Sequence, residues 1–227
     1  MTDSLYSSII VSGNDAFDFL QGQLTSDLRQ LDKQPLVLSA WCTPKGRVIC
    51  LFRVQRSAAG FELTLPAEIA ENVVKRLTMY RFRAKVDFEH RATDLAAIGI
   101  SGTVDEWLLS NLLAGIPEIW KLQSEAFTPH MLNLDLLDAV SLDKGCYTGQ
   151  EIVARTHYRG ASRRRLMRFV SSEPVAAGDP VHDGERKVGD VVNAIGTDLL
   201  AVVPTDSEDA PLTAAGVNLT RMPLPYV

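Results

Sequence analysis

The chain has 227 residues, 46% of them hydrophobic and 22% charged, enough for one large domain, or a large and a small one, around a real core. No apolar run approaches the roughly 18 residues that span a bilayer, and the N-terminus lacks a basic-then-apolar leader pattern, so the expectation is a cytoplasmic protein without a membrane partner. A net charge of −5 and three cysteines with no CxxC pair speak against a dedicated nucleic-acid binder, a disulfide framework and a four-thiolate cluster held by one chain.

In chain order, residues 6–11 (YSSIIV) predict a strand, and Asn14 starts a helix with Phe17, Leu20 and Leu24 on one face. PLVLSAWC and RVICLFRVQ are β-rich runs joined by TPKG, a hairpin in which Pro44 and Gly46 form the turn. FELTLP adds a strand. AEIAENVVKRLTMYRF then spaces Ile69, Val73, Leu77 and Tyr80 for an amphipathic helix. AKVDFEH and LAAIGI return to strand, an order that fits an α+β, split βαβ (ferredoxin-like) arrangement. VDEWLLSNLLAG reads as a helix stopped by Gly115 and Pro117, and residues 118–143 are irregular around the apolar run MLNLDLL. Beyond Gly160, four short β-runs (165–170, 187–192, 199–203 and 217–219) predict a small all-β module. The domain boundary is placed near Ser162, dividing the chain into 1–161 and 162–227.

The chemistry concentrates in KGCYTGQEIVAR, residues 144–155. TGQE fits a capping box in which Thr148 and Glu151 bond each other's backbone N–H groups, and Glu151 with Arg155 is an i,i+4 pair. Cys146 then sits just ahead of a helix N-terminus with Lys144 nearby, and both influences favour a thiolate. Gly145 and Gly149 allow close backbone approach on either side. Two readings remain open here: a reactive or ligand-gripping thiol, and a buried structural cysteine. For Cys42 and Cys50, on the hairpin strands, the structural reading prevails. From Lys144 to Arg168 there are seven basic residues against one acid, Glu151. This is either a local anion site or a solvated charged face.

These stretches resemble the YgfZ family, folate-dependent iron–sulfur maintenance proteins related to the glycine-cleavage T-protein (aminomethyltransferase). KGCYTGQE is similar to the family signature. DAFDFLQGQLTSD, CTPKGRV, WLLSNLLAGIP, the stretch from FTPHMLNLD to GASRR, and the closing PLPY resemble further family segments.

The resemblance implies a shortened T-protein-type, ferredoxin-like folate-binding domain over 1–161, ending in the KGCYTGQE helix, followed by a small C-terminal β-barrel. It implies tetrahydrofolate or a derivative as ligand, and iron–sulfur client enzymes, including tRNA-modifying ones, as partners. It places Cys146 and Lys144 at the reactive site, with no resident metal and Cys146 as a transient cluster ligand. Trp107, Tyr6, Tyr147, Gln150, Glu151 and Arg155 would contact the ligand. An aromatic ring at Trp107 can stack on a pteridine, although helical spacing alone equally makes it a core residue. Three departures stand out. Tyr6 replaces a second tryptophan of relatives, Leu113 stands where relatives have a glutamate, and the stretch between Asp94 and Trp107 is shorter than in longer relatives.

Three functions follow. The first is a folate-binding maintenance factor without steady-state turnover. The second is a folate-dependent aminomethyl transferase, with Asp27 or Asp135 as the assisting acid. The third is an RNA-binding protein using residues 155–168, disfavoured because few aromatics interleave with the arginines.

Overall fold

The computed structural model describes residues 5–93, 102–158, 162–207 and 210–227. The LAAIGI strand expected over 95–100 lies outside them. Two compact units are interleaved along the chain. One comprises Met1–Gly99, Ile119–Pro129 and Asp138–Ala154; the other comprises Ile100–Glu118, His130–Leu137 and Arg155–Val227.

The first unit is built on a five-stranded antiparallel sheet. In chain order its strands are β1 (Tyr6–Ser12), β2 (Leu36–Cys42), β3 (Val48–Ser57), β4 (Gly60–Pro66) and β5 (Asp87–Ala92), with spatial order β2-β3-β4-β1-β5. Its helices are α1 (Ala16–Gln23) and α2 (Ala67–Tyr80). Alternation selects one sheet face. Ile9 and Val11, Cys50, Phe52 and Val54, and Phe61, Leu63 and Leu65 enter one buried cluster with Phe19 and Leu20 of α1 and Ile69, Val73 and Leu77 of α2. Both helices therefore lie on that face, giving a two-layer α+β unit. The TPKG turn closes the β2–β3 hairpin as expected, with Gly46 at φ +68° and its N–H bonded to the Thr43 carbonyl.

The second unit carries α3 (Val104–Leu113) and six strands closed into a barrel in the order β10-β11-β6-β9-β8-β7. These are β6 (Arg164–Ser171), β7 (Pro180–Asp183), β8 (Arg186–Ile195), β9 (Asp198–Pro204), β10 (Leu212–Ala214) and β11 (Val217–Met222). The four expected β-runs became β6, β8, β9 and β11. The expectation missed β7 and β10 because four and three residues are too few to show a period. Met167, Phe169, Val181, Val191, Leu199, Ala201 and Val203 fill the interior. Helix α3 starts with a capping box that the sequence reading overlooked: the Thr103 hydroxyl accepts from the Glu106 N–H, and the Glu106 carboxylate accepts from the Thr103 N–H. The helix α4 (Gln150–Tyr158) follows the signature cysteine.

Candidate functional site

In the first unit, the segment Leu24–Asp27 leaves α1 and forms the floor beneath the signature loop. The Thr25 hydroxyl donates to the Ala139 carbonyl (2.6 Å) and accepts from the Ala40 N–H (2.9 Å). The Thr25 carbonyl accepts from the Ser141 N–H at 2.8 Å. One threonine thus joins strand β2 to the stretch that leads into KGCYTG. The carbonyls of Leu24 and Ser26 point together, and the Lys144 Nζ donates to each at 2.6 Å. Lys144 is buried, at 5% exposure, and its ammonium lies 5.1 Å from the centre of the Tyr147 ring. Burial lowers its pKa to about 7, with Asp27 opposing that shift. A neutral amine still has two N–H groups, as many as the two carbonyls accept.

Lys144 was expected to act on the thiol from beside it. Instead its amine is turned inward and anchors the loop from below, because two convergent carbonyls offer it bonds that solvent-facing Cys146 does not. Cys146 is exposed, whereas Cys42 and Cys50 are fully buried. Burial pushes the Cys42 thiol up to about 12 and Cys50 well above its ordinary value. Of the two readings left open for Cys146, the buried structural cysteine is therefore ruled out by its exposure.

Tyr147 points inward and is 6% exposed; its hydroxyl has no hydrogen-bond partner among the described residues, and burial raises its pKa. The Thr148 N–H donates to the Gly22 carbonyl, and its hydroxyl donates to Gln23 Oε1, which also accepts from the Trp41 indole at 3.2 Å. The Thr148 side chain thus ties the loop to the end of α1. Helix α4 begins at Gln150, whose Oε1 accepts from the Tyr147 N–H at 3.3 Å. Gly149 has φ +85°, and a Cβ there would lie 2.6 Å from the Thr43 carbonyl oxygen and 3.2 Å from the Cys42 Cβ. Only glycine lets the loop seat on the hairpin turn. Gly145, by contrast, faces open space. The result is one exposed thiol on a loop fixed from beneath at Lys144, Tyr147 and Gly149. Gln23, Thr25 and Ser26, which build the floor, carried no assigned role in the sequence reading; their only signal was the QGQLTSD resemblance.

The other expected site residues lie elsewhere. Tyr6 is fully buried, with its ring 5.8 Å from that of Trp120. Glu151 and Arg155 are exposed on α4, and Gln150 is half-buried. In the second unit, Trp107 is half-buried on α3 and Leu113 is 38% exposed. Asn111, one turn after Trp107 and hence on the same helix face, has a buried Nδ2 with no partner among the described residues. For a folate, a half-buried indole and an unsatisfied amide on one helix face fit a flat heterocycle with hydrogen-bonding edges. The sealed Tyr6 and the apolar Leu113 contribute neither feature.

Within the basic run, Arg155 and Arg163 are exposed, whereas Arg164, Arg165 and Arg168 face carboxylates. Arg165 grips Asp135 through two bonds (2.6 and 2.9 Å) and also donates to the His130 carbonyl. Arg168 pairs with Asp198 at 2.8 Å, and Arg164 lies 3.6 Å from Asp190. Arg165 and Arg168 border a cavity of about 340 Å³ with Met167 and Leu224, but both present guanidiniums already engaged by carboxylates. The Asp27 carboxylate is likewise held by Arg29 at 2.6 Å and by Gln21, which keeps it well below the usual carboxylate range. Among the described residues, no group of three His, Cys, Asp or Glu side chains could hold a metal ion, and no helix is long and apolar enough to cross a membrane.

Residues 163–224 match the CAF17 C-terminal beta-barrel domain. The whole chain is similar to an uncharacterized protein of Haemophilus influenzae, at 30% identity over 97% of this chain and 95% of that one. It is also similar to proteins named tRNA-modifying protein YgfZ. The identity is 28% with that of Vibrio atlanticus (97% of this chain, 90% of the relative) and 28% with that of an Enterobacter species (85% and 77%). The Vibrio alignment runs over 293 positions against a chain of 227, so that relative carries inserted segments. In structure, the chain is similar to glycine cleavage system aminomethyltransferase T from Bartonella henselae, with a TM-score of 0.74 at 17% identity over 99% of this chain and 84% of that one. The chain therefore belongs to the YgfZ family and has the fold of the glycine-cleavage aminomethyltransferases.

Proposed function

We propose that this protein supports the assembly or repair of iron–sulfur enzymes, including enzymes of tRNA modification, and that Cys146 is the group that meets the cluster or the client. The observation that carries this reading is the single exposed cysteine on a loop immobilised by the buried Lys144 and the close-packed Gly149. A thiol presented on a fixed loop is positioned for transfer or transient ligation, and as thiolate it is the metal-binding form. The family's tRNA-modifying relatives support the client class. Free thiols in the core suit a reducing compartment, the cytoplasm.

Tetrahydrofolate or a derivative is the proposed ligand. Trp107 would stack on the pterin ring and Asn111, on the same helix face, would bond its edge. When bound, a reduced folate supplies a one-carbon carrier and a mild reductant. The aminomethyl-transferase alternative is weaker, because both acids considered for it, Asp27 and Asp135, are held in ion pairs. The RNA alternative is weakened by the aspartates that engage Arg164, Arg165 and Arg168.

The test is complementation of a bacterial strain lacking its own family member, read as the abundance of an iron–sulfur-dependent modified nucleoside in tRNA. Wild type is expected to restore it, Cys146→Ala to restore none, and Gly145→Ala to match wild type. Full activity of Cys146→Ala would remove the thiol from the mechanism. Anaerobic calorimetry with tetrahydrofolate tests the ligand separately. Saturable binding weakened at least tenfold by Trp107→Ala is expected, and no binding at hundreds of micromolar would remove the folate while leaving the cysteine reading intact.

A further inference from the structure

Helix α3 carries Trp107 and Asn111, and side-chain burial does little to hold it. Leu112 is its buried residue, whereas Trp107, Leu108, Leu109 and Asn111 are half-buried and Leu113 is exposed. A helix that buries so little of an apolar face takes its placement from its ends. The capping box at Thr103 is local to the helix. The attachment lies at the other end, in a Schellman turn with Gly115 at φ +72°. There the Gly115 N–H bonds the Leu112 carbonyl at 3.0 Å and the Ile116 N–H bonds the Asn111 carbonyl at 2.9 Å. Residues 223–226, the PLPY stretch, sit directly on this turn. A Cβ on Gly115 would lie 2.6 Å from a Leu224 methyl and 2.7 Å from the Tyr226 hydroxyl. That hydroxyl donates to the Gly115 carbonyl at 2.7 Å. The Asn133 amide, 1% exposed, reaches the same hydroxyl at 3.5 Å and donates to the Leu166 carbonyl of β6 at 2.9 Å. Burial raises the Tyr226 pKa, so the hydroxyl remains a donor. Three residues beyond Gly115, Asn193 of β8 takes both backbone groups of Glu118, accepting from its N–H at 2.8 Å and donating to its carbonyl at 2.9 Å.

We infer that Tyr226 is a positioning residue for the ligand face of α3: by holding the Gly115 carbonyl, and through Asn133 the barrel, it sets where Trp107 and Asn111 stand. The bond from Ile116 to Asn111 passes that constraint directly to one of the two ligand groups. The lever is long enough to matter. At 1.5 Å of rise per residue, Asn111 lies about 6 Å and Trp107 about 12 Å from Gly115, so a swing of about 10° there moves them by about 1 and 2 Å. Ligand-gripping groups need to be held to within about 0.5 Å. If burying the PLPY stretch were all that counted, a phenylalanine ring would serve as well; the hydroxyl is what reaches both the turn and Asn133. The ligand's identity rests on the folate reading above, whereas the placement of α3 can be read without any ligand.

The experiment compares the full chain as wild type, as Tyr226→Phe and as Val181→Ala, the last a change in the barrel interior on β7. Amide exchange without ligand is followed in peptides covering 109–116, and anaerobic calorimetry measures tetrahydrofolate binding. Tyr226→Phe should exchange at least fivefold faster across that segment and bind tetrahydrofolate at least tenfold more weakly. Its thermal midpoint should fall by less than about 4 °C, the loss of one hydrogen bond. Val181→Ala should lower the midpoint at least as far, yet leave the affinity within twofold of wild type. A merely stabilising role for Tyr226 would instead make affinity follow stability in both variants. Unchanged exchange or unchanged affinity in Tyr226→Phe, or an equal loss of affinity in Val181→Ala, would overturn the proposal. A wild type that binds no tetrahydrofolate would remove the folate reading, and the exchange result would then decide the placement of α3 by itself.

Discussion

The signature loop and the arginine run of β6 look alike as sequence, since both are short stretches dense in glycine or charge. In the folded chain they differ in kind. In the loop, the Lys144 amine is drawn inward by two carbonyls, and Cys146 is left facing solvent. In β6, Arg164, Arg165 and Arg168 meet aspartates from distant segments, and the apparent positive patch is largely neutralised. The difference teaches that a charge cluster in sequence predicts a ligand site only after its partners from elsewhere in the chain are known.

The comparison is broken most sharply at Gly149. Gly149→Ala should cost about 2–4 kcal/mol, since its Cβ meets the Thr43 carbonyl and its φ is left-handed. Gly145→Ala, in open space, should change stability by less than about 0.5 kcal/mol. Chemical denaturation of the two variants checks this, and a stable Gly149→Ala would mean that the loop is not seated as described.

Next in size is Asp135→Ala, which strands the part-buried Arg165 guanidinium and should destabilise by about 2–3 kcal/mol. The exposed partners of surface pairs such as Lys75–Glu71 should contribute well under 1 kcal/mol when removed. Equal effects at the two sites would show that the Arg165 pair does not lock its loop to the barrel.

The subtlest prediction concerns pH. The Lys144 pKa falls from 10.5 in the open chain to about 7 when folded, so the unfolded state binds more protons between those values. Stability from this group therefore rises with pH through that window and is flat below it. Between pH 7 and about 8.5, wild type should gain on the order of 1–2 kcal/mol relative to Lys144→Met, whose thiols titrate identically. Parallel pH profiles for the two proteins would show that Lys144 is charged in the fold as it is in the open chain.

Much of this molecule follows from local pattern. The β2–β3 hairpin, the buried stripe of α2 and four barrel strands were legible because alternation and helical spacing act within a few residues. The pairing of KGCYTGQE with QGQLTSD was legible only as a resemblance to a family, with no contact implied. The direction of Lys144, the sealing of Tyr6 against Trp120 and the neutralised arginines were not legible.

What the sequence determined by itself, then, is the longer elements, their buried faces and the presence of a cysteine motif ahead of a helix. Only the tertiary structure decided which of the motif's groups faces solvent. Lys144 finds its carbonyls 118 and 120 residues away, and Arg165 its aspartate 30 away. Hydrogen bonding and desolvation act on neighbours in space, and those neighbours are set by how the strands pair, which no short window of sequence contains.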